Sequence, residues 1–425
     1  MIRKNELVTN SLLAKAVLAR LERITVGSLA LRSGDATRVL GTGGEPFASV
    51  EVHDERFWGA VALRGSIGAG EAYAAGWWTS GDPTSVVRLF VRNADVLGSM
   101  ESGFARLSKP VLALWHKLRR NTESGSRANI AAHYDLSNEF FGLFLDETMT
   151  YSCGIFEDAT CDMREASIAK IDRLCRKLDL GPRTHLLEIG TGWGALAVHA
   201  AREYGCRVTT TTISRRQHEV AEARIREAGL EGRVTLLLED YRNLRALDPS
   251  ARFDRLVSVE MIEAVGHQYY ETFYRECSEL LAPDGLMAMQ AITIADAHYE
   301  RARRSVDFIQ RHVFPGSCIP SVTALHTAMS RASDLTTVHL EDFGDHYVKT
   351  LATWRRNLRE RWDEAKALGL SEEFLRLWEF YFAYCEGGFA ERHIGVCQML
   401  HAKPLARTVP EVAPLPRAVR AAGVA

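Results

Sequence analysis

The sequence lacks paired cysteines, long uncharged apolar runs and a strong net charge. Its eight cysteines are scattered, without a CxxC pair, which argues against a zinc knuckle or a disulfide framework and predicts reduced thiols without a metal centre. The formal net charge of −2 argues against a bulk electrostatic contact with nucleic acid. No stretch reaches the roughly 18 apolar residues of a membrane span, and the first residues lack the apolar core of a secretory signal. The predicted location is the cytoplasm, with any membrane contact peripheral and at the inner face.

What is present is the composition of an ordinary globular protein. Hydrophobic residues make up 46% and charged residues 25% of the 425 positions, which suits two or three domains, or one large domain with an added module. We predict an N-terminal α+β module over 1–120, a larger domain over 121–402 and a disordered tail, rich in proline and alanine, over 403–425. A polar, glycine- and serine-rich linker is predicted over 119–128. The oligomeric state, including a homodimer, is left open.

The N-terminal module is predicted to begin with a helix and to continue with short strands. Apolar residues recur at helical spacing over 8–24, with Lys15, Arg20 and Arg23 between them. Such a helix either lies on anionic lipid or docks on its own domain, and docking is favoured because core-facing stripes of this kind are routine. The segments GSLALRSG, ASVEVHD and AVALRGSIGAG alternate like strands between glycine-rich turns. Residues 70–97 are predicted to be helical on both sides of a break at SGDP.

From about residue 165, strand-like and helix-like segments alternate. The strand-like segments are HLLEIG, RVTTTTIS, VTLLLED, FDRLVSVE and GLMAMQAITI. This alternation predicts the α/β class, with a doubly wound, mostly parallel, Rossmann-like sheet. Two long helical stretches, 299–313 and 351–384, are predicted to be insertions or covers.

The segment HLLEIGTGWGALAVHA is predicted to form a strand, a glycine-rich turn and a helix. Gly190, Gly192 and Gly194 allow a tight turn and a close approach of the backbone to a ligand. A GxGxG pattern alone serves several cofactors, but its third glycine comes too early for the dinucleotide pattern GxGxxG. Glu188 precedes the first glycine, where it can meet an ammonium group. Both features favour S-adenosylmethionine (SAM), which has no pyrophosphate.

The ends of the next two strands supply further candidate cofactor contacts. A Rossmann site usually carries an acid at the end of its second strand, for the ribose hydroxyls, and TTTTIS has none. Thr212 and Gln217 are predicted to replace it through hydrogen bonds, although the threonines also suit a plain strand. After the third strand, Asp240 and Tyr241 are predicted to bind and cover the adenine.

Two acids follow the fourth strand, in VSVEMIEAVG. A buried strand should not lead into Glu260 and Glu263 unless something there needs ionisable groups. Glu263 could instead be an acid at a helix start that satisfies free N–H groups. The functional interpretation is favoured.

Several blocks of the sequence, in the same order, resemble the cyclopropane-fatty-acyl-phospholipid synthase family, which includes the mycolic acid cyclopropane synthases and related methyltransferases. They run from about residue 60 to 402 and include AHYDLSNEFFGLFLDETMTYSCGIF, LLEIGTGWGALA, TTISRRQ, HYVKTLATW and YCEGGFAERHIGVCQM. The resemblance implies a class I SAM-dependent methyltransferase domain with a helical cover. It also implies methylene transfer from SAM to a cis double bond of an acyl chain, usually in a membrane phospholipid. The N-terminal module would then dock on the membrane or present the lipid.

The resemblance also implies roles for individual residues. An alkene that attacks the methyl group becomes a carbocation, which aromatic faces tolerate and which must lose a proton. In the family a bound bicarbonate serves as the base, and neighbouring anions need a shared proton or a raised pKa. The groups that would hold this ion are Cys153, Glu263, Tyr347 and the N–H group of Ile292. Tyr151 and Ser152 would close over SAM, whereas Cys385, a further candidate catalytic residue, is interpreted as lining because the chemistry needs no thiol nucleophile.

Two positions depart from the family pattern. Type members carry a histidine where this chain has Gln290, and glutamine can donate a hydrogen bond to bicarbonate but cannot carry charge. Glu260 stands where many relatives have glycine; it is predicted to contact cofactor or solvent, without a catalytic role.

The leading hypothesis is a cyclopropane synthase acting on membrane phospholipid. The alternatives are an enzyme that makes a methylene or methyl branch, a lipid-binding protein with an inactive methyltransferase fold, and a small-molecule methyltransferase.

Overall fold

The structure, a computed structural model, describes residues 11–96, 98, 137–411 and 413–415. The strands are β1 (Gly27–Ser33), β2 (Ala36–Gly43), β3 (Phe47–Val52), β4 (Trp78–Thr79), β5 (His185–Ile189), β6 (Arg207–Thr212), β7 (Val234–Leu238), β8 (Phe253–Val259), β9 (Leu281–Ile294), β10 (Thr336–Asp342) and β11 (Ile394–Ala402). The α-helices are α1 (Leu12–Leu21), α2 (Arg56–Ala74), α3 (Pro83–Arg92), α4 (Asn138–Gly142), α5 (Met163–Lys177), α6 (Ala195–Glu203), α7 (Arg215–Glu227), α8 (Leu244–Leu247), α9 (Tyr270–Leu280), α10 (Asp296–Ala302), α11 (Phe308–His312), α12 (Val322–Ala332), α13 (Gly344–Glu360), α14 (Trp362–Ala367) and α15 (Glu372–Ala390). The predicted linker over 119–128 and the motif residues AHYDL lie outside the described residues.

The large sheet has seven strands in the order β10-β11-β9-β8-β5-β6-β7. The pairs from β7 to β9 are parallel, and β11 runs antiparallel to both β9 and β10. Both faces are covered, because the adjacent residues Leu186 and Leu187 of β5 are fully buried in two different hydrophobic clusters. The predicted doubly wound sheet is therefore confirmed. Its parallel strands end along one edge, where ligands of such sheets bind.

The N-terminal module contains a second sheet, in the order β2-β1-β3-β4. Helix α1 buries Ala14, Val17, Leu18 and Leu21, so its apolar stripe is docked on its own domain, as favoured. One prediction for this module was wrong, because AVALRGSIGAG lies within helix α2 and not in a strand.

Two of the three glycines of AVALRGSIGAG, Gly68 and Gly70, are contact positions and not turn positions. A Cβ atom added at Gly68 would lie 2.0 Å from the carbonyl oxygen of Ala60, and one at Gly70 would lie 2.4 Å from the ring of Phe308. Only Gly65 departs from helical geometry, with φ +56° and a kink. Close packing therefore explains Gly68 and Gly70, whose spacing in the sequence resembles that of glycines in the turns between strands.

The helical cover joins the module to the larger domain. The predicted stretch 299–313 is divided between α10 and α11, and the stretch 351–384 among α13, α14 and α15. Helix α15 packs on α2 and α3, where the Tyr73 hydroxyl donates to Glu379 at 2.9 Å and Arg88 pairs with Glu391 at 2.7 Å. No helix among the described residues is both long and apolar enough to cross a membrane.

The predicted tail begins in contact with the large sheet. The N–H group of Lys403 donates to the carbonyl of Gly285 at 3.0 Å, and Arg173 donates to the carbonyl of Ala413 at 2.7 Å. The disordered tail over 403–425 stays a prediction, and the structure shows these hydrogen bonds at Lys403 and Ala413. Side-chain and backbone bonds hold them although they form neither helix nor strand.

Candidate active site

A cavity of about 310 Å³ opens at the carboxyl ends of the parallel strands. Most of the predicted site residues line it: Tyr151, Ser152, Glu188, Gly190, Gly192, Thr212, Gln217, Asp240, Tyr241, Glu263, Ile292, Tyr347 and Cys385. Gly194, Cys153 and Gln290 do not line it. The last two contact a lining residue, Glu260, so the structure brings the predicted residues together.

The glycine loop forms the first wall of the cavity. Gly190 has φ +102° and Gly194 has φ +90°. Residues other than glycine rarely adopt this backbone conformation. Gly194 caps the start of α6, and a Cβ atom there would lie 3.1 Å from the Cβ atom of Ala221 on α7. Backbone conformation and close packing therefore both select glycine in this turn.

Glu188 is a buried carboxyl on that wall. The Thr210 hydroxyl donates to its Oε2 atom at 2.6 Å. Burial raises the pKa of Glu188 to about 8, against the opposing effects of Thr210 and Lys170. A cationic ligand group beside Glu188 would favour the ionised form, as expected for a carboxyl that meets the ammonium group of SAM.

The ends of β6 and β7 place the other predicted cofactor residues. The Thr212 hydroxyl donates to the amide oxygen of Gln217 at 3.0 Å. The Asp240 carboxylate is bound by Arg242 at 2.6 Å, and Tyr241 packs edge-on against Phe273. The glycine turn, the carboxyl of Glu188 and these polar groups fit SAM.

Glu260 lies at the centre of the second acid site and was assigned no catalytic role from the sequence. Its Oε1 atom accepts hydrogen bonds from the N–H group of Cys153 at 3.0 Å and from Nε2 of Gln290 at 2.7 Å. Its Oε2 atom accepts one from the hydroxyl of Tyr347 at 2.6 Å. Three groups assigned to bicarbonate therefore donate to a carboxylate of the protein.

Glu263 is held differently. Its Oε1 atom accepts a hydrogen bond from the N–H group of Ile292, and its buried Oε2 atom has no hydrogen-bond partner among the described residues. Burial, together with the charge of Glu260, raises the pKa of Glu263 to about 8. Burial raises the pKa of Glu260 too, but hydrogen bonds from Tyr347, Cys153 and Gln290 oppose that rise. Glu263 is therefore the acid whose ionised form has fewer donors.

The donor set does not fit bicarbonate. The N–H group of Cys153, the amide of Gln290 and the hydroxyl of Tyr347 are engaged by Glu260, and the N–H group of Ile292 is engaged by Glu263. An added anion would lie beside the carboxylate of Glu260 without these donors, which is unfavourable in a buried site.

A buried chain of amides fixes the orientation of Gln290. Lys177 donates to the amide oxygen of Gln398 at 2.7 Å, and Nε2 of Gln398 donates to the amide oxygen of Gln290 at 3.0 Å. Because lysine only donates and a carboxylate only accepts, Nε2 of Gln290 faces Glu260. Sequence reasoning missed Lys177 and Gln398, although a glutamine within the apolar strand IGVCQMLHA was a signal.

The thiols and a buried lysine complete the polar part of the site. Burial raises the pKa of both Cys153 and Cys385, so neither is a reactive thiolate. Lys170, which was also missed, lies on the apolar face of α5 and donates to the Ser152 hydroxyl at 2.8 Å. Its position at helical spacing from Ser167 and Leu174 was the available signal.

The far wall of the cavity is apolar and aromatic. It is formed by side chains of the helical cover, of the loops that face it and of the start of β11, among them Ile309, Phe314, Leu351, Tyr381, Phe389 and Ile394. The hydroxyls of Tyr151 and Tyr381 meet at 3.0 Å. This wall can receive a hydrocarbon chain, and its aromatic rings can tolerate positive charge nearby.

Comparisons with known proteins agree with this geometry. The family model of mycolic acid cyclopropane synthetase matches residues 121–399. The chain is 37% identical to the tuberculostearic acid methyltransferase UfaA1 of Mycobacterium tuberculosis, over 80% of this chain and 79% of that protein. It is 34% identical to the cyclopropane-fatty-acyl-phospholipid synthase of Escherichia coli K12, over 84% of this chain and 88% of that protein.

A solved structure is similar to the larger domain. The mycolic acid cyclopropane synthase CmaA1, complexed with SAH and CTAB, is 32% identical with a TM-score of 0.60, over 65% of this chain and 98% of that one. The predicted fold class is therefore confirmed as that of the class I SAM-dependent methyltransferases.

Proposed function

We propose, because the chain belongs to the mycolic acid cyclopropane synthetase family, that it transfers a methylene group from SAM to a cis double bond in an acyl chain of a membrane phospholipid, giving a cyclopropane fatty acid. At the coarser level, the protein is a SAM-dependent fatty-acyl cyclopropane or methyl transferase. The observation that carries the proposal is a cavity with a SAM-type glycine wall, an opposite apolar aromatic wall and a hydrogen-bonded carboxylate among its lining residues.

The protein's contribution to the chemistry is binding and charge placement. Bound SAM supplies an electrophilic methyl carbon. Glu188 and the glycine loop hold the cofactor, and the apolar wall holds the acyl chain and excludes water. The rings of Tyr347, Tyr381 and Phe389 on the wall favour a cationic substrate through their faces.

A second product is a methylene- or methyl-branched chain. The observations that favour it are Gln290 in place of the family histidine and the carboxylate of Glu260 among the family's bicarbonate donors. A hydride shift before the transferred methyl group loses its proton gives the methylene branch, and the placement of the base affects which outcome follows. One relative is named a tuberculostearic acid methyltransferase.

We also propose that the N-terminal module contacts the membrane peripherally. Large apolar side chains of this module are exposed: Leu12, Val39 and Phe47. If they contact lipid, replacing all three by serine should weaken co-flotation with vesicles while leaving SAM binding unchanged. Unaltered flotation would contradict this role.

The deciding experiment combines the purified protein, SAM and vesicles of cis-unsaturated phospholipid, followed by mass spectrometry and proton NMR of the released fatty acids. Chains heavier by one CH₂ with ring protons at high field, and without vinyl signals, support the cyclopropane product. The same added mass with exocyclic methylene protons supports the branched product. No added mass despite SAM binding contradicts the lipid substrate, and no SAM binding contradicts the enzyme.

A further inference from the structure

We infer that Glu260 is the base that removes the proton from the substrate cation, and that it takes the place of a bound bicarbonate. The inference rests on the proposed function, because it names the base of the same reaction. It rests on the position of the side chain, on its hydrogen bonds and on the contrast with Glu263.

The position of Glu260 gives it access to substrate. It follows β8 at the carboxyl edge of the sheet and lines the cavity between Val259 and Met261. It is partly accessible, whereas Cys153 and Gln290, which bind its carboxylate from behind, are fully buried. Tyr347, which donates to its Oε2 atom, lines the cavity as well, so the carboxylate lies at the boundary between its buried donors and the cavity.

Three donors stabilise the ionised form of Glu260. They come from distant parts of the chain: Cys153 is 107 positions away, Gln290 is 30 and Tyr347 is 87. Hydrogen bonds to the charged form favour it. Glu263 has one N–H donor and, in the part of the chain that the structure describes, no hydrogen-bond partner for its second oxygen. Its ionised form is therefore less stabilised than that of Glu260, which we assign as the base.

The backbone at Glu260 is strained. It has φ +46°, the left-handed region in which a residue other than glycine is disfavoured by about 1–2 kcal/mol. Glycine would relieve the strain but would leave the three donors without their acceptor. Strained conformations of this kind occur at functional sites, which agrees with a role for the carboxylate itself.

The proton-transfer step balances as follows. The alkene π pair forms the new C–C bond to the methyl carbon while the C–S bond breaks with its pair left on sulfur. One C–H bond of the resulting cation then breaks, and the proton goes to a carboxylate oxygen of Glu260. This C–H bond belongs to the transferred methyl group. Its electron pair closes the ring, or forms the exocyclic double bond when a hydride shift has first moved the cation to the carbon that bears that methyl group. Glu260 later releases the proton to solvent.

The test measures the turnover of the full chain with SAM and dioleoyl phosphatidylglycerol vesicles, in buffer freed of carbon dioxide, with and without added bicarbonate. We expect wild-type kcat to be independent of bicarbonate. Glu260→Gln should lower kcat by about 10²–10⁴-fold, the range for loss of a general base, with SAM binding retained. Glu260→Asp, which keeps a shorter carboxylate, should lose less. Wild-type turnover that requires bicarbonate, or a fully active Glu260→Gln variant that binds SAM, overturns the inference.

A binding measurement keeps the inference testable if the vesicles give no product. We expect ¹³C-bicarbonate, observed by NMR, to bind Glu260→Gly and not the wild type, because glycine frees the three donors. Rescue of Glu260→Gly turnover by bicarbonate supports the same conclusion. Bicarbonate bound by the wild type overturns it, whether or not the lipid is a substrate. Absence of product from a wild type that binds SAM contradicts only the proposed substrate.

Discussion

Replacing Tyr347 by phenylalanine removes one hydroxyl group from the site and leaves its ring in place. That hydroxyl donates to Oε2 of Glu260 at 2.6 Å, the length of a charge-assisted hydrogen bond. The ring itself stacks on Phe389, with centroids 4.4 Å apart, so we expect the fold to tolerate the change. The perturbation therefore acts on the carboxylate of Glu260.

The expected magnitude follows from this bond. Burial raises the pKa of Glu260, and the hydrogen bonds from Tyr347, Cys153 and Gln290 and the charge of Lys170 lower it. A hydrogen bond to a charged group contributes about 1.5–3 kcal/mol, and one pKa unit corresponds to about 1.36 kcal/mol. Tyr347→Phe should therefore raise the pKa of Glu260 by about 1–2 units.

The assay is the pH dependence of kcat. A base acts when it is deprotonated, so kcat rises with pH through the pKa of Glu260, and in Tyr347→Phe this rise should move upward by about 1–2 pH units. The other titratable groups that face Glu260 are Glu263, Lys170, Tyr347 and the Cys153 thiol.

Two variants serve as controls for this pH profile. Glu263→Gln removes a competing titration near the upper end of the profile. Tyr381→Phe removes a hydroxyl that meets Tyr151 on the same wall, and it should leave the profile unchanged. A Tyr347→Phe profile that superimposes on that of the wild type, with SAM binding intact, would refute the reasoning.

Three further predictions concern the turn, the amide chain and the second acid. Gly194→Ala should lower both Tm and SAM affinity, because its Cβ atom would lie 3.1 Å from Ala221. In the control Gly192→Ala, the added Cβ atom meets no atom within 4 Å and should add only backbone strain. Equal decreases in Tm for the two variants would contradict this account. Gln398→Leu leaves a buried amide oxygen without its donor and should lower the free energy of unfolding by about 1–3 kcal/mol, measured by urea unfolding against the wild type. The pKa of Glu263 in the folded protein, about 8, lies above its value in the unfolded chain. Its protonated form therefore stabilises the fold fully below pH about 4.5. This stabilisation is lost as pH rises toward 8, and the free energy of unfolding falls by at most roughly 5 kcal/mol. Glu263→Gln should remove this loss, and a wild type whose Tm falls no more steeply than that of the variant over this range would disprove the shift.

Local patterns predicted the elements of the larger domain well. Alternating apolar strands and amphipathic helices indicated the doubly wound sheet because each element buries its own face, a property that is present in short windows of sequence. The glycine loop was predictable for the same reason, since its turn needs φ values that glycine alone adopts easily. The segment AVALRGSIGAG was wrong because its glycines serve packing against Ala60 and Phe308, and spacing alone does not distinguish a packing glycine from a turn glycine.

The same distinction between local pattern and tertiary contact applies to the site of Glu260 and Glu263. The sequence by itself determined that two carboxyls follow a buried strand, and that SAM-type glycines precede a helix. Only the tertiary structure decided that Glu260 meets Cys153, Gln290 and Tyr347. These groups lie on segments far apart in the chain, and the sheet order and the helical cover bring them together. Whether a buried carboxylate is ionised depends on such donors, which no local pattern of residues records.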